Sequence, residues 1–146
     1  EKSLEDSRLA QTTAQLLAAQ DDDKANAILD RALENKNPEI RAAAVETLPH
    51  RSDEELIRLA EKFLTDPDVR VRTSAALILD HNGSAKAVGI LFARLPQEKN
   101  AKLYANLYRM LKMQYAKAPA SEAAKANQAA LEKLSATIPD NAADEF

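Results

Sequence analysis

The side chains with the most obvious chemical potential are His50 and His81, the only two histidines in a chain of 146 residues. They stand 31 residues apart (81 − 50 = 31). Paired imidazoles suggest a metal ion, whose bonds to nitrogen are about 2 Å long. If the spacing reflects stacked helical units, however, the rings lie about 10 Å apart, the usual distance between packed helices. One ion does not bridge that gap. Each histidine instead falls where a helix should end, and a donor or cation there suits the free carbonyls. Acid–base chemistry would need carboxylates in a desolvated pocket. The carboxylates here gather at expected helix starts (Asp21 to Asp23, Asp53 to Glu55, Asp66 and Asp68), where capping and the helix dipole account for them. The chain has no cysteine, no glycine-rich phosphate loop and no serine in a Gly-x-Ser-x-Gly setting. No catalytic residue, metal ligand or cofactor is therefore expected.

The 31-residue spacing extends well beyond the histidines. Ile40-Arg41 is followed by Ala44 and Leu48, and Val71-Arg72 by Ala75 and Leu79, with Leu9 and Leu17 one period earlier. A second series runs Ala25, Leu56, Ala87; then Leu29, Ala60, Leu91; then Leu33, Leu64, Leu95. Self-similarity at a fixed period of this length indicates a stack of supersecondary units. Two glycines against abundant alanine favour helix over strand.

Apolar spacing and end signals predict eight helices. The first spans about 4–19, with Leu9, Thr13 and Leu17 inward. The second follows Asp21 to Asp23 and buries Ala25, Ile28, Leu29, Ala32 and Leu33. The third opens at Asn37-Pro38, turns Ile40, Ala44, Val45 and Leu48 inward, and stops at Pro49. The fourth opens at Ser52 with a capping-box pattern and buries Leu56, Ile57, Ala60, Phe63 and Leu64. The fifth is expected to open as the third does, at Asp66-Pro67. It buries Val71, Ala75, Ala76 and Leu79 and ends at Asn82-Gly83. The sixth runs from Ser84 to Pro96 with Ala87, Val88, Leu91 and Leu95 inward. The seventh and eighth, about 100–117 and 121–138, depart from the strict period. The expected layout is one domain over 1–139 and a short acidic tail over 140–146.

The stretches Asn37-Pro38-Glu39-Ile40-Arg41-Ala42-Ala43-Ala44 and Asp66-Pro67-Asp68-Val69-Arg70-Val71-Arg72-Thr73-Ser74-Ala75-Ala76 resemble HEAT repeats. They are most similar to the short HEAT-like subclass also seen in phycobilin lyases. Ala87-Val88, Leu91 and Leu95 match the second half of that pattern. The resemblance is specific over about 37–95. It implies an all-α, right-handed α-solenoid of about four helix pairs, whose usual role is protein binding. It also implies a structural ladder in which Arg41 and Arg72 bond an Asp or Asn of a neighbouring unit, with Asn37 and Asp66 as partners. HEAT-like hydroxylases hold iron through His-Glu pairs, whereas this chain has His50-Arg51 and His81-Asn82. HEAT-like DNA glycosylases resemble a basic groove lined with tryptophan, and this chain has none.

Charge sets the seventh helix apart. The whole chain carries a formal −3, yet residues 99–117 contain Lys99, Lys102, Arg109, Lys112 and Lys117 and no acid. Leu103, Leu107 and Leu111 centre its apolar face, and Tyr104, Tyr108 and Tyr115 lie along one flank. Phe92 sits about 85° off the stripe of the sixth helix at 100° per residue. One reading packs these rings against Ala120, Ala123, Ala124 and Leu131 of the eighth helix. The other makes Phe92, Arg94, Tyr104, Tyr108, Arg109, Lys112 and Tyr115 a docking strip for an acidic partner. With it would go exposed Arg58, Glu61 and Lys62.

The expected function is thus a non-catalytic protein-interaction module or scaffold, within a larger or secreted bacterial protein. The alternatives are a regulatory subunit of an enzyme, or a nucleic-acid backbone binder using 99–117 with Arg41, Arg70 and Arg72. The acidic remainder of the chain opposes the last. A monomer with an unidentified protein partner is expected. No apolar run approaches the roughly 20 residues of a membrane span. Residue 1 is Glu, so the chain is expected to be a processed form or a piece of a longer protein. Neither composition nor motif chooses a compartment.

Overall fold

The computed structural model describes the backbone of residues 2–20, 22–117 and 122–135, and the side chains of 8–20, 22–117 and 127–134. Among the described residues all regular structure is helical. The helices are α1 (Lys2–Ala18), α2 (Asp23–Leu33), α3 (Pro38–Val45), α4 (Asp53–Phe63), α5 (Val69–Asn82), α6 (Ala85–Arg94), α7 (Ala101–Lys117) and α8 (Glu122–Ser135), with short 3-10 turns at Leu48–His50 and Leu95–Gln97. The expected tail, Asp140 to Phe146, and the side chains of Ala120, Ala123 and Ala124 lie outside the described residues. The chain forms two compact units, Glu1–Ile78 and Leu79–Phe146.

Local chemistry sets the helix starts. Side-chain oxygens of Asp22, Asn37, Ser52 and Ser84 accept the amides of Ala25, Glu39, Glu55 and Ala87, each answering a donor that the first turn leaves free. Pro38 fills the first turn of α3, where no amide is needed. Proline also sets where α3 stops. α3 ends at Val45 and passes into the 3-10 turn that contains Pro49. One period later Asp80 replaces proline, and α5 continues without a break to Asn82. Gly83 then adopts φ +61, the left-handed conformation that suits glycine after a helix.

The core follows the second-helix series. Ala25, Leu29, Leu33, Leu56, Ala60, Leu64, Ala87, Leu91 and Leu95 are all buried. So are Val45, Leu48, Val71, Ala75 and Leu79, which are wholly inaccessible. Each buried leucine contributes about 1.5–3 kcal/mol by leaving water. In the first unit Ala14 and Ala18 of α1 cluster with Leu29 and Ala43, and Ala10 and Leu17 pack against that cluster.

The first repeat departs from the expected pattern. Leu9 is 68% exposed, Thr13 is exposed and Leu17 is only half-buried. Ile28, expected inward on α2, is 45% exposed. The alanines of α1, not its leucines, face α3. Leu9 and Thr13 occupy the register of Ile40 and Ala44, but no described helix covers that flank of α1.

Leu64→Ala should cost about 2–5 kcal/mol of stability, the range for truncating a buried leucine. Chemical denaturation of the two proteins measures it, and an unchanged midpoint would contradict the burial of this stripe.

Candidate functional site

The arginine of each repeat opening makes the same bonds 31 residues apart. Arg41 Nη1 donates to the carbonyls of Asn35 and Lys36 at 2.8 and 3.1 Å. Arg72 Nη1 donates to those of Asp66 and Pro67 at 2.9 and 3.0 Å. Arg41 also grips the Asp66 carboxylate with two bonds, Nε to Oδ2 at 2.8 Å and Nη2 to Oδ1 at 2.7 Å. The two side chains are 13% and 7% exposed, so this fork is shielded from water. It joins the loop before α3 to the loop before α5. Asp66 holds the Arg41 guanidinium above its ordinary pKa, chiefly through that hydrogen bond and against the opposing effect of burial.

Asn37 is not a rung of this ladder. Its side chain caps its own helix through Glu39 N. The true counterpart of Asp66 is Asn35: Asn35 Oδ1 accepts Asn37 N, as Asp66 Oδ1 accepts Asp68 N. Asn37 in turn matches Asp68, whose Oδ1 accepts Arg70 N. The Asn-Pro and Asp-Pro pairs look alike but are offset by 29 residues (66 − 37), not 31. Proline has moved two places relative to the cap, so α5 opens at Val69 after Asp68 and not at Asp66-Pro67, one period after α3 opens at Pro38.

Further pairs tie neighbouring repeats in the first unit. Arg70 Nη1 reaches Glu39 Oε1 at 2.9 Å, and Arg51 joins Asp30 and Glu55. Lys62 pairs with Glu34. Glu46 accepts Gln11 Nε2 at 2.7 Å and Ser74 Oγ at 3.1 Å, linking α1, α3 and α5. Glu39 and Arg70 stand one period apart with opposite charge, a signal for this pair that is present in the sequence. Arg70 holds the Asp68 carboxyl below the usual aspartate range, mainly through its side-chain bond. The arginines of the phosphate-binding alternative are thus engaged: Arg41 and Arg70 with carboxylates, Arg72 with carbonyls.

In the second unit the proposed docking residues separate into two groups. Tyr104 and Tyr108 are buried, at 5% and 9% exposure. Tyr104 Oη donates to the Leu134 carbonyl of α8 at 3.2 Å. They are core residues of α7, and the aromatic strip expected on its surface does not include them. Phe92 and Tyr115 are half-buried and meet edge to face, with ring centroids 6.2 Å apart. Burial raises the Tyr115 hydroxyl pKa. Arg94 is likewise engaged. Its Nη2 donates to Glu98 at 2.9 Å, where the Glu98 side chain is inaccessible, and its buried Nε has no hydrogen-bond partner. Arg109 and Lys112, by contrast, are exposed, as are Lys99, Lys102 and Lys117. Arg109 donates to Asn106, and no described residue forms an ion pair with any of these five cations.

A family model described as HEAT repeats matches residues 25–112, which is 88 of the 146 residues. The chain belongs to the HEAT-repeat family. Its all-helical element order is that of an α-solenoid. No curated protein and no solved structure matches it. HEAT repeats generally mediate protein–protein contacts and are typically non-catalytic. The match spans most of α2, α3 to α6 and most of α7, so it includes the Arg41 fork and Lys102, Arg109 and Lys112 of α7. His50 closes the 3-10 turn after α3 and His81 lies in the last turn of α5, both exposed. Among the described residues no group of three His, Cys, Asp or Glu side chains is placed to hold a metal ion, and no helix is long and apolar enough to cross a membrane.

Arg41→Met should destabilise the HEAT unit by about 3 kcal/mol, because it strands the shielded Asp66 carboxylate. Arg41→Met/Asp66→Asn should recover part of that loss, since Asn keeps the acceptor for Asp68 N. Denaturation of both variants checks this. The depressed pKa of Asp68 implies stability that is present above its unfolded value and lost as pH falls below about 4. NMR titration should show a higher Asp68 pKa in Arg70→Ala.

Proposed function

We propose that this HEAT-repeat chain is a non-catalytic protein-interaction module that docks an acidic partner on the exposed face of α7. The contrast between the two units carries the reading. In the first, Arg41, Arg51, Lys62 and Arg70 are matched by carboxylates of neighbouring repeats. On α7, Lys102, Arg109, Lys112 and Lys117 share an exposed side with no described acid against them. An unbalanced cationic strip on a rigid helix, backed by the buried Leu103, Tyr104, Leu107, Tyr108 and Leu111, is a preorganised surface for carboxylates. Met113, 56% exposed, adds an adaptable apolar contact. Phe92 and Tyr115 act here as the packing that holds α6 and α7 in register, and Arg94 as an internal tie to Glu98.

The same strip also suits phosphates, but Arg41, Arg70 and Arg72, the other cations of the nucleic-acid alternative, are engaged by carboxylates and loop carbonyls within the first unit. Protein is therefore the partner class favoured. Binding of a polyglutamate peptide and of mixed-sequence duplex DNA should be compared at physiological salt. Arg109→Glu/Lys112→Glu should weaken peptide binding about tenfold or more, equivalent to roughly 1.4 kcal/mol. Tighter binding to DNA than to the peptide would overturn the protein reading.

A further inference from the structure

α7 and α8 both belong to the second unit and pack on each other. Tyr104 Oη, in the first turn of α7, donates to the Leu134 carbonyl at 3.2 Å, one residue before α8 ends at Ser135. The chain therefore leaves α8 beside the start of α7. Lys99 and Lys102 stand exposed at that end, and Arg109 and Lys112 continue the exposed side along the helix. At 100° per residue Lys102, Arg109 and Lys112 fall within an arc of about 80°. No described residue forms an ion pair with any of them.

The segment that follows α8, residues 136–146, lies outside the described residues. Its sequence holds Asp140, Asp144 and Glu145 and no lysine, arginine or histidine. Reach decides which cations these acids can meet. Lys102 lies about 160° around α7 from Tyr104. A path that far around a helix 10–12 Å across is about 16–19 Å long. The five residues from Ser135 to Asp140 (140 − 135 = 5) span about 17–18 Å when extended, and the nine to Asp144 (144 − 135 = 9) about 30–32 Å. Asp140 thus reaches the near edge of the strip. Asp144 and Glu145 reach Lys102 and also Arg109, which is about 10.5 Å further along the axis.

We propose that residues 140–145 dock on the cationic side of α7 and compete there with the acidic partner. The proposal rests on the α7 reading above, since it gives the same surface a second, tethered occupant. A short tether holds these acids at an effective concentration of about millimolar. Each contact between exposed charges is weak, so occupancy is partial and sensitive to salt. The segment acts as a built-in competitor that a more acidic partner displaces.

Asp140→Asn/Asp144→Asn/Glu145→Gln removes this charge and changes no described residue. It should tighten binding of the polyglutamate peptide about threefold or more. The chain has no cysteine, so Asn141→Cys offers a single site for a nitroxide label. At low salt the label should broaden the amide signals of Arg109 and Lys112 more in the acidic chain than in the neutralised one. That excess should be independent of protein concentration and vanish in 1 M salt, where charges are screened beyond about 3 Å. Equal broadening in the two chains, an excess that grows with concentration and so reports a second copy, or equal affinity of the two chains for the peptide would overturn the proposal. Excess broadening without peptide binding by either chain would retain the contact and remove the partner reading. Peptide binding with equal broadening would do the reverse.

Discussion

Ala44, Val45 and Leu48 are shut off from water because α3 has a neighbour on each side. Glu46 marks both contacts, taking a hydrogen bond from Gln11 of α1 and another from Ser74 of α5. A pair of short helices cannot bury its own apolar faces, so each HEAT repeat depends on the next to complete its core. That dependence explains the rest of the molecule. It makes the second-helix stripe uniformly buried, and it makes burial at a given register position a report on whether a neighbour is present. Leu9 and Ile40 hold the same place in successive repeats, yet the first is mostly exposed and the second half-buried. The difference lies in what flanks them, not in the residues.

Polar bonds fix the spacing that apolar packing leaves free. Burial is tolerant of small slips between helices, whereas a bidentate guanidinium–carboxylate pair is not. Arg41 holds two carbonyls of its own loop and the carboxylate of the next, so it sets the distance between consecutive repeats in the first unit. Arg70 with Glu39 and Arg51 with Asp30 repeat the tactic at other points along the edge. These pairs engage Arg41, Arg51, Lys62 and Arg70 of that unit. The basic residues of α7 meet no described acid in this way, and α7 therefore presents a cluster of like charge to solvent.

The helices, their caps and their buried stripes were legible in the sequence because they follow from local rules. Proline removes an amide donor, Ser, Asn and Asp accept one, and apolar residues at helical spacing must face together. The 31-residue series was enough to identify the second-helix core from Ala25 to Leu95. Other readings depended on neighbours and were not local. The Asn37-Pro38 and Asp66-Pro67 motifs look equivalent as text, but the hydrogen bonds align Asn35 with Asp66. Tyr104 and Tyr108 sit on a flank that spacing alone leaves ambiguous, and the seating of α8 against α7 decided that they are core.

Sequence alone therefore determined the all-helical repeat class, the cap positions and the charge imbalance of residues 99–117, since each depends only on residue type and period. Tertiary structure alone decided which arginines are engaged and which cations meet no described acid. It also decided which tyrosines are buried and which flank of α1 no described helix covers. The physical reason is common to all four: burial and ion pairing are properties of two surfaces brought together, and a single strand of residues specifies only one of them.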